Sequence, residues 1–75
     1  MDEKRKCNII VANSLKKIRL FKGLTQKDVA NAIGITTRCY CYYETGKREI
    51  PLYVIFRLSK YYKMTIDNIV NNRIK

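Results

Sequence analysis

The sequence contains no histidine, the side chain that most often serves as a general base or a zinc ligand near neutral pH. It has three cysteines, whereas the disulfide frameworks of secreted domains contain an even number. Cys39 and Cys41 stand two residues apart and Cys7 is remote from both, a spacing that does not fit a four-ligand zinc site. A Cys–His catalytic pair is excluded because no histidine is present to activate a thiol. We therefore expect no metal, no cofactor and no enzymatic activity.

Long apolar runs are also missing. No run approaches the about 18 residues that mark a membrane-spanning helix. The N-terminal segment lacks the apolar stretch and cleavage site of a signal peptide. We therefore expect a cytoplasmic protein with reduced thiols and no membrane partner, and no small-molecule ligand is evident from the sequence.

Acidic residues are scarce. The 75 residues include 6 Asp plus Glu against 16 Lys plus Arg, which gives a formal net charge of +10. Such an excess either keeps a solvated surface soluble or attracts a polyanion, namely nucleic acid or an anionic membrane surface. We favour nucleic acid. The length predicts one small domain over residues 1–75, with polar tails at 1–7 and 71–75.

Proline occurs once and glycine three times, and apolar residues recur at spacings of three and four. This pattern predicts an all-α fold with five helices. The first helix is predicted from about Asn8 to Lys22, with Val11, Leu15 and Ile18 forming a stripe that faces the core. Gly23 would end it.

Two short helices are predicted next, from Gln26 to Ile33 and from Thr37 to Glu44 or Thr45. Thr25 begins the first of them in a capping arrangement, and Thr36 is a favourable N-cap for the second. Gly34 lies between them, where a turn needs a residue that tolerates positive φ. Together they form a helix-turn-helix over about residues 25–45. The expected core anchors are Val29, Ile33, Ile35, Tyr40 and Tyr43.

Two further helices complete the prediction. Pro51 suits the first turn of the fourth helix because it has no N–H to leave unsatisfied. Thr65 begins a fifth helix. The predicted inward face of the fourth helix is Leu52, Ile55, Leu58, Ser59 and Tyr62. The apolar positions of the fifth helix are Ile66, Ile69 and Val70.

In a helix-turn-helix, the first helix braces against a DNA backbone and the second presents its exposed face to the major groove. The segments GLTQKDVANAIGITT and YETGKR resemble the helix-turn-helix of the Cro and lambda-repressor-like family, also called the XRE family. The resemblance runs from about Leu15 to Val70. It implies a five-helix lambda-repressor-like DNA-binding domain that binds duplex DNA, commonly as a homodimer, and regulates transcription.

The resemblance also implies roles for individual residues. Gln26 matches a phosphate-contacting position, and Arg38 matches a base-reading position where arginine can pair with guanine. An ion pair between Arg19 and Glu44 would bridge the first and third helices. The full set of implied DNA-binding residues is Gln26, Thr36, Thr37, Arg38, Cys41, Tyr42, Lys47 and Arg48.

Each of these roles has a plainer alternative. Arg38, Lys47 and Arg48 can be solvated surface charges. Thr37 can serve only to cap its helix, and Tyr42 can be partly buried or a dimer contact. If Cys41 lies near DNA, its oxidation would weaken binding.

Apolar residues outside the inward stripes suggest a second copy of the chain. Tyr53 and Phe56 lie off the stripe of the fourth helix, and the fifth helix ends in Ile69, Val70 and Ile74. This surface is either a dimer patch or a set of ordinary exposed residues. We favour the dimer because two copies related by a twofold axis would read half-sites about 34 Å apart.

The sequence therefore predicts a sequence-specific, double-stranded DNA-binding transcriptional regulator, a repressor that binds an inverted-repeat operator as a homodimer. The alternative is a protein-interaction module of the same fold that acts as an anti-repressor or antitoxin. Such a module would have no need for Gln26, Arg38, Lys47 and Arg48 on one face.

Overall fold

The computed structural model describes residues 3–71, and the regular structure within that range is helical. The all-α, five-helix prediction is confirmed. The elements are α1 Glu3–Phe21, α2 Gln26–Ile33, α3 Thr37–Glu44, α4 Leu52–Tyr62 and α5 Ile66–Val70. The predicted tail residues 72–75, including Ile74, lie outside the described residues.

Helix α1 begins five residues before its predicted start at Asn8, so the predicted polar tail 1–7 is helical from Glu3 onward. Lysine, arginine and glutamate are good helix formers, and neither glycine nor proline interrupts this segment, so charge alone does not stop the helix. At the other end, Gly23 adopts a left-handed φ of 71°. The N–H of Leu24 then donates to the carbonyl of Arg19 at 3.1 Å, which returns Leu24 toward the core.

One core joins all five helices. Helix α1 packs against α3 and α5, α2 packs against α3 and α4, and α4 packs against α5. Leu15 and Ile18 are fully buried as predicted, and Val11 packs at the edge of the core. Burying such side chains is the main stabilising contribution, about 1.5–3 kcal/mol each. The buried cluster is Leu15, Ile18, Val29, Ala30, Ile33, Tyr40, Tyr43, Val54, Leu58, Tyr62 and Ile69.

The inward face of α4 differs from the prediction. Leu52, expected inside, is 73% exposed, whereas Val54 is fully buried. Pro51 is the N-cap rather than part of the first turn. The buried positions are 54, 58 and 62, an i, i+4, i+8 stripe. Leu52 is two residues ahead of that stripe and therefore points to the opposite side of the helix.

Ile69, expected as a dimer contact, belongs to the core instead, because its side chain is fully buried. Helix α5 has only five residues and packs on both α1 and α4, so its central apolar position faces inward. The hydroxyl of Ser14, itself buried on α1, donates to the carbonyl of Ile69 and fixes the two helices together.

Candidate nucleic-acid interface

Local capping fixes helix α2 at both ends. The N–H of Asp28 donates to the Thr25 hydroxyl at 3.0 Å, and the Thr25 N–H donates to the Asp28 carboxylate at 2.9 Å. This reciprocal pair is a capping box. At the other end, Gly34 adopts φ 77° and ψ 33°, and Ile35 donates its N–H to the carbonyl of Ala30. Ala30, a small residue, is fully buried in the core.

Helix α3 has an inward and an outward side. Tyr40 and Tyr43 face the core, as predicted. Thr37 and Arg38 are exposed. Thr36 is also exposed, but its hydroxyl accepts the Cys39 N–H at 3.1 Å and so serves as the N-cap of the helix. The first turn of α3 therefore presents Thr37 and Arg38 to solvent.

Three cations gather around Tyr42, which is half-buried one turn after Arg38. The Arg38 Nε donates to the Tyr42 hydroxyl at 3.1 Å. The centroid of the Tyr42 ring lies 5.9 Å from the Arg38 Cζ, 5.9 Å from the Lys47 Nζ and 5.3 Å from the Arg48 Cζ. These separations allow cation–π attraction, which holds within about 6 Å. We call Arg38, Lys47 and Arg48, with Tyr42 between them, the cation cluster.

The loop after α3 brings the last two cations to this ring. Gly46 adopts a φ of 76°, which turns the chain back. The carbonyl of Tyr42 then accepts the N–H groups of Lys47 at 2.9 Å and Arg48 at 3.3 Å. Cys41, also half-buried, lies next to Tyr42 in the chain. Four of the predicted contact residues are therefore brought into one cluster by α3 and its loop.

Gln26 is the first residue of α2, and a hydrogen bond to Glu44 holds its side chain. Its Nε2 donates to the Glu44 Oε1 at 3.3 Å. The other N–H of the amide and its oxygen are not used in this bond, so Gln26 keeps hydrogen-bonding capacity. It is half-buried at the helix N-terminus, where the backbone N–H groups favour an anion.

Arg19 and Glu44 form a buried ion pair between α1 and α3. The Arg19 Nε and Nη2 donate to the two Glu44 oxygens, each at 2.8 Å, and Nη1 donates to the carbonyl of Leu24 at 2.8 Å. Burial by itself raises the pKa of Glu44, but opposing interactions, of which the hydrogen bonds from Arg19 are the largest, leave the pKa below its ordinary value. The same pairing raises the pKa of Arg19.

Two buried tyrosine hydroxyls accompany this ion pair. Among the described residues, neither Tyr40 nor Tyr62 has a hydroxyl partner of good hydrogen-bonding geometry. Both lie close enough to Glu44 for its negative charge to affect them. Burial is the main reason why the pKa of Tyr62 rises to about 12, and it raises the pKa of Tyr40 as well.

Arg57 supports the turn in a way that sequence reasoning missed. Its Nη1 donates to the carbonyl of Ile33, at the C-terminus of α2, at 3.0 Å. Its Cζ lies 5.1 Å from the centroid of the Tyr53 ring. The hydrogen bond joins residues 24 positions apart, so no local sequence pattern predicts it. Arg57 fixes the end of α2, and with it the place where the turn to α3 begins.

The remaining dimer candidates lie on α4 and α5. Tyr53 and Phe56 are each 51% exposed, and Val70 is half-buried. Tyr53 and Phe56 line an apolar hollow with Leu52 and Ile66. We call these four residues the α4–α5 hollow.

Within residues 3–71, the side chains form no cluster of three or more potential metal ligands. The three cysteines are free thiols, with Cys7 exposed and Cys39 and Cys41 half-buried. Over the same part of the chain, none of the helices is both long and apolar enough to cross a membrane.

Comparison with known proteins gives a consistent picture. A family model described as helix-turn-helix matches residues 15–69. The cryptic phage CTXphi transcriptional repressor RstR of Vibrio cholerae is 30% identical over 61 residues, which are 81% of this chain and 55% of that protein. The uncharacterized HTH-type transcriptional regulator MJ0272 of Methanocaldococcus jannaschii is 32% identical over 57 residues, which are 76% of this chain and 86% of that protein.

A solved structure agrees with these relatives. The crystal structure of a transcriptional regulator from Listeria innocua superposes with a TM-score of 0.72 at 25% identity, covering 79% of this chain and 55% of that one. The chain thus spans about half the length of the repressor RstR and of the Listeria regulator.

Proposed function

Because this chain belongs to the helix-turn-helix family of the Cro and lambda-repressor type, we propose that it binds double-stranded DNA sequence-specifically and represses transcription. The observation that carries the proposal is the cation cluster. Arg38, Lys47 and Arg48 are exposed on one side of α3 and its loop, with Tyr42 at their centre. A net charge of +10 adds general attraction to a polyanion.

The division of labour follows from chemistry. Arg38 stands at the start of α3 and reads a base, since a guanidinium can donate two hydrogen bonds to guanine O6 and N7. Thr37, beside it, contacts a base or a phosphate. Lys47 and Arg48, in the loop, neutralise phosphates, and Gln26 contacts a phosphate at the N-terminus of α2.

Selection of random duplexes by the purified protein tests this function. We expect an enriched inverted repeat and an affinity that falls steeply as salt rises. Arg38→Ala should relax base preference at one position per half-site. Lys47→Ala should weaken all duplexes alike and reduce the salt slope by about 1.

Lys16→Ala is the matched control, because it removes one exposed positive charge from α1, outside α2, α3 and the loop after α3. It should preserve both base preference and the slope. If Arg38→Ala and Lys47→Ala leave DNA retention untouched while the wild type binds, the contact assignment is wrong. If the wild type selects no duplex, the protein-interaction module becomes the better proposal, with the α4–α5 hollow as its contact surface.

A homodimer is part of the proposal. One helix-turn-helix covers only a half-site, and the α4–α5 hollow offers an apolar surface for a second copy. Val70 does not line this hollow, so its part in a dimer contact stays a prediction. Phe56→Lys should shift sedimentation from dimer to monomer, whereas Phe21→Lys, at an aromatic that is 67% exposed on α1, should not. Equal effects of the two substitutions would place the dimer contact elsewhere.

A further inference from the structure

Tyr42 interacts with each of the three cations in the cation cluster, through different parts of the residue. Its hydroxyl accepts from the Nε of Arg38, and its ring lies within 5.9 Å of Lys47 and closer still to Arg48. Its carbonyl accepts the N–H groups of the same two loop residues. Three like charges repel one another, and the negative face of an aromatic ring partly offsets that repulsion.

The hydrogen bond from Arg38 leaves the reading end of this side chain available. A guanidinium carries five N–H donors, and the four on Nη1 and Nη2 remain when Nε is used. A bidentate contact with guanine requires two donors. The hydroxyl therefore restrains the flexible side chain without using the edge that would meet the base.

The main-chain part of this arrangement does not depend on the side chain. The loop is tied to the carbonyl of Tyr42, and Gly46 supplies the turn. Tyr42→Phe would therefore keep the loop and the ring and would remove only the hydroxyl. This separation makes the role of the hydroxyl measurable.

We infer that Tyr42 is a positioning residue for base reading: its hydroxyl holds Arg38 ready for a guanine edge while its ring gathers Lys47 and Arg48 on the same side. The inference rests on the proposed function. It differs from a direct contact between Tyr42 and DNA. A hydroxyl that donated to a phosphate would add affinity for every duplex, whereas a hydroxyl that positions Arg38 adds preference for one base pair.

The test compares wild type, Tyr42→Phe, Arg38→Ala and the double variant. Each is titrated with the selected duplex and with a copy in which the guanine read by Arg38 is replaced. Tyr42→Phe should lower discrimination between the two duplexes by about threefold to tenfold, with an unchanged salt slope on random DNA. The double variant should behave like Arg38→Ala, because Tyr42 acts through Arg38.

A second measurement needs no DNA. In the free protein, the Nε–H of Arg38 should exchange with water more slowly in the wild type than in Tyr42→Phe, as followed by nitrogen-15 NMR. Arg57 provides the matched control signal, because its contacts with Ile33 and Tyr53 lie outside the cation cluster. Thermal unfolding should be the same for both proteins.

Four results would overturn this inference without affecting the proposed function. In the titrations, these are unchanged discrimination by Tyr42→Phe, additive effects in the double variant, or an equal loss of affinity for all duplexes. In the NMR measurement, it is an exchange rate of the Arg38 Nε–H that is the same in wild type and Tyr42→Phe. A wild type that selects no duplex would instead refute the proposed function, and this inference with it.

Discussion

Glu44→Gln should be a severely destabilising substitution although it barely changes the size of the side chain. In the wild type both carboxylate oxygens accept from Arg19, at 2.8 Å each, and one also accepts from Gln26. An amide offers a single acceptor oxygen and presents two N–H donors on the other side. The substitution would therefore lose one hydrogen bond, set a donor against a donor, and leave the buried guanidinium without its counter-charge.

The expected cost can be estimated from burial. Arg19 is 8% exposed and Glu44 is 5% exposed, so water screens the pair little. Breaking one side of a buried ion pair costs about 3–5 kcal/mol. Because Arg19 keeps its hydrogen bond to the carbonyl of Leu24, we expect the lower end, about 3 kcal/mol. A domain of this length has roughly 4–11 kcal/mol in total, so the melting temperature should fall by about 12–24 °C.

Urea denaturation followed by circular dichroism at pH 7 measures this cost. Lys16→Gln is the control, because it also replaces a charged side chain by an amide, at an exposed position of α1. We expect it to alter the free energy of unfolding by less than about 0.5 kcal/mol. A Glu44→Gln effect of less than about 1 kcal/mol would contradict the idea that this ion pair is a buried, interdependent unit.

The pH dependence provides a second check. The pKa of Glu44 is lowered in the folded chain from an ordinary value of 4.5. A lowered carboxyl pKa contributes stability that is present above the unfolded pKa and is lost as pH falls through the folded pKa. The difference between wild type and Glu44→Gln should therefore be constant at neutral pH and shrink on acidification below about pH 4.5. A difference that stays constant into strong acid would rule out Glu44 as the titrating group.

Three further outcomes are expected. Gly34→Ala should lower the free energy of unfolding by about 1–2 kcal/mol, measured in urea, because a side chain at φ 77° is strained; no loss would mean that the turn relaxes. Thr25→Ala should cost about 1 kcal/mol in the same assay by removing the cap of α2, and an unchanged midpoint would argue against that cap. The pKa of Tyr62 is raised from 10 to about 12 in the folded chain. The neutral hydroxyl therefore contributes its full share of folding stability below pH 10, and that share is lost as the pH rises through 12. Between pH 10 and 12, the free energy of unfolding should therefore fall less with pH in Tyr62→Phe than in the wild type. An equally steep fall in both proteins would contradict this prediction.

The parts of the fold that depend on local signals could be read from the sequence. The bounds of α2 and α3 agree with the prediction, because Thr25, Gly34 and Thr36 act within one turn of themselves. The parts that depend on tertiary packing could not. The spacing of apolar residues predicts Leu52 on the inward face of α4, yet in the packing of α4 against α2 and α5 it is Val54 that is buried.

The candidate site shows the same division. Helical periodicity placed Tyr40 and Tyr43 in the core, and burial agrees. Periodicity could not reveal that Arg57 reaches the carbonyl of Ile33, or that Gln26 reaches Glu44. Those contacts depend on side-chain rotamers and on the relative placement of helices that are far apart in the chain. No spacing rule encodes them.

The two-sided character of α3 has a consequence for how such a chain can change. Its inward residues, Tyr40, Tyr43 and Glu44, hold the fold, whereas Thr37 and Arg38 are exposed to solvent and lie outside the buried core. Exchanging the solvent-facing pair would leave the interior intact, so new target preferences could arise by drift or by engineering at little structural cost. Tyr42 would be the hardest outward position to vary, since its hydroxyl and ring contact the three cations around it.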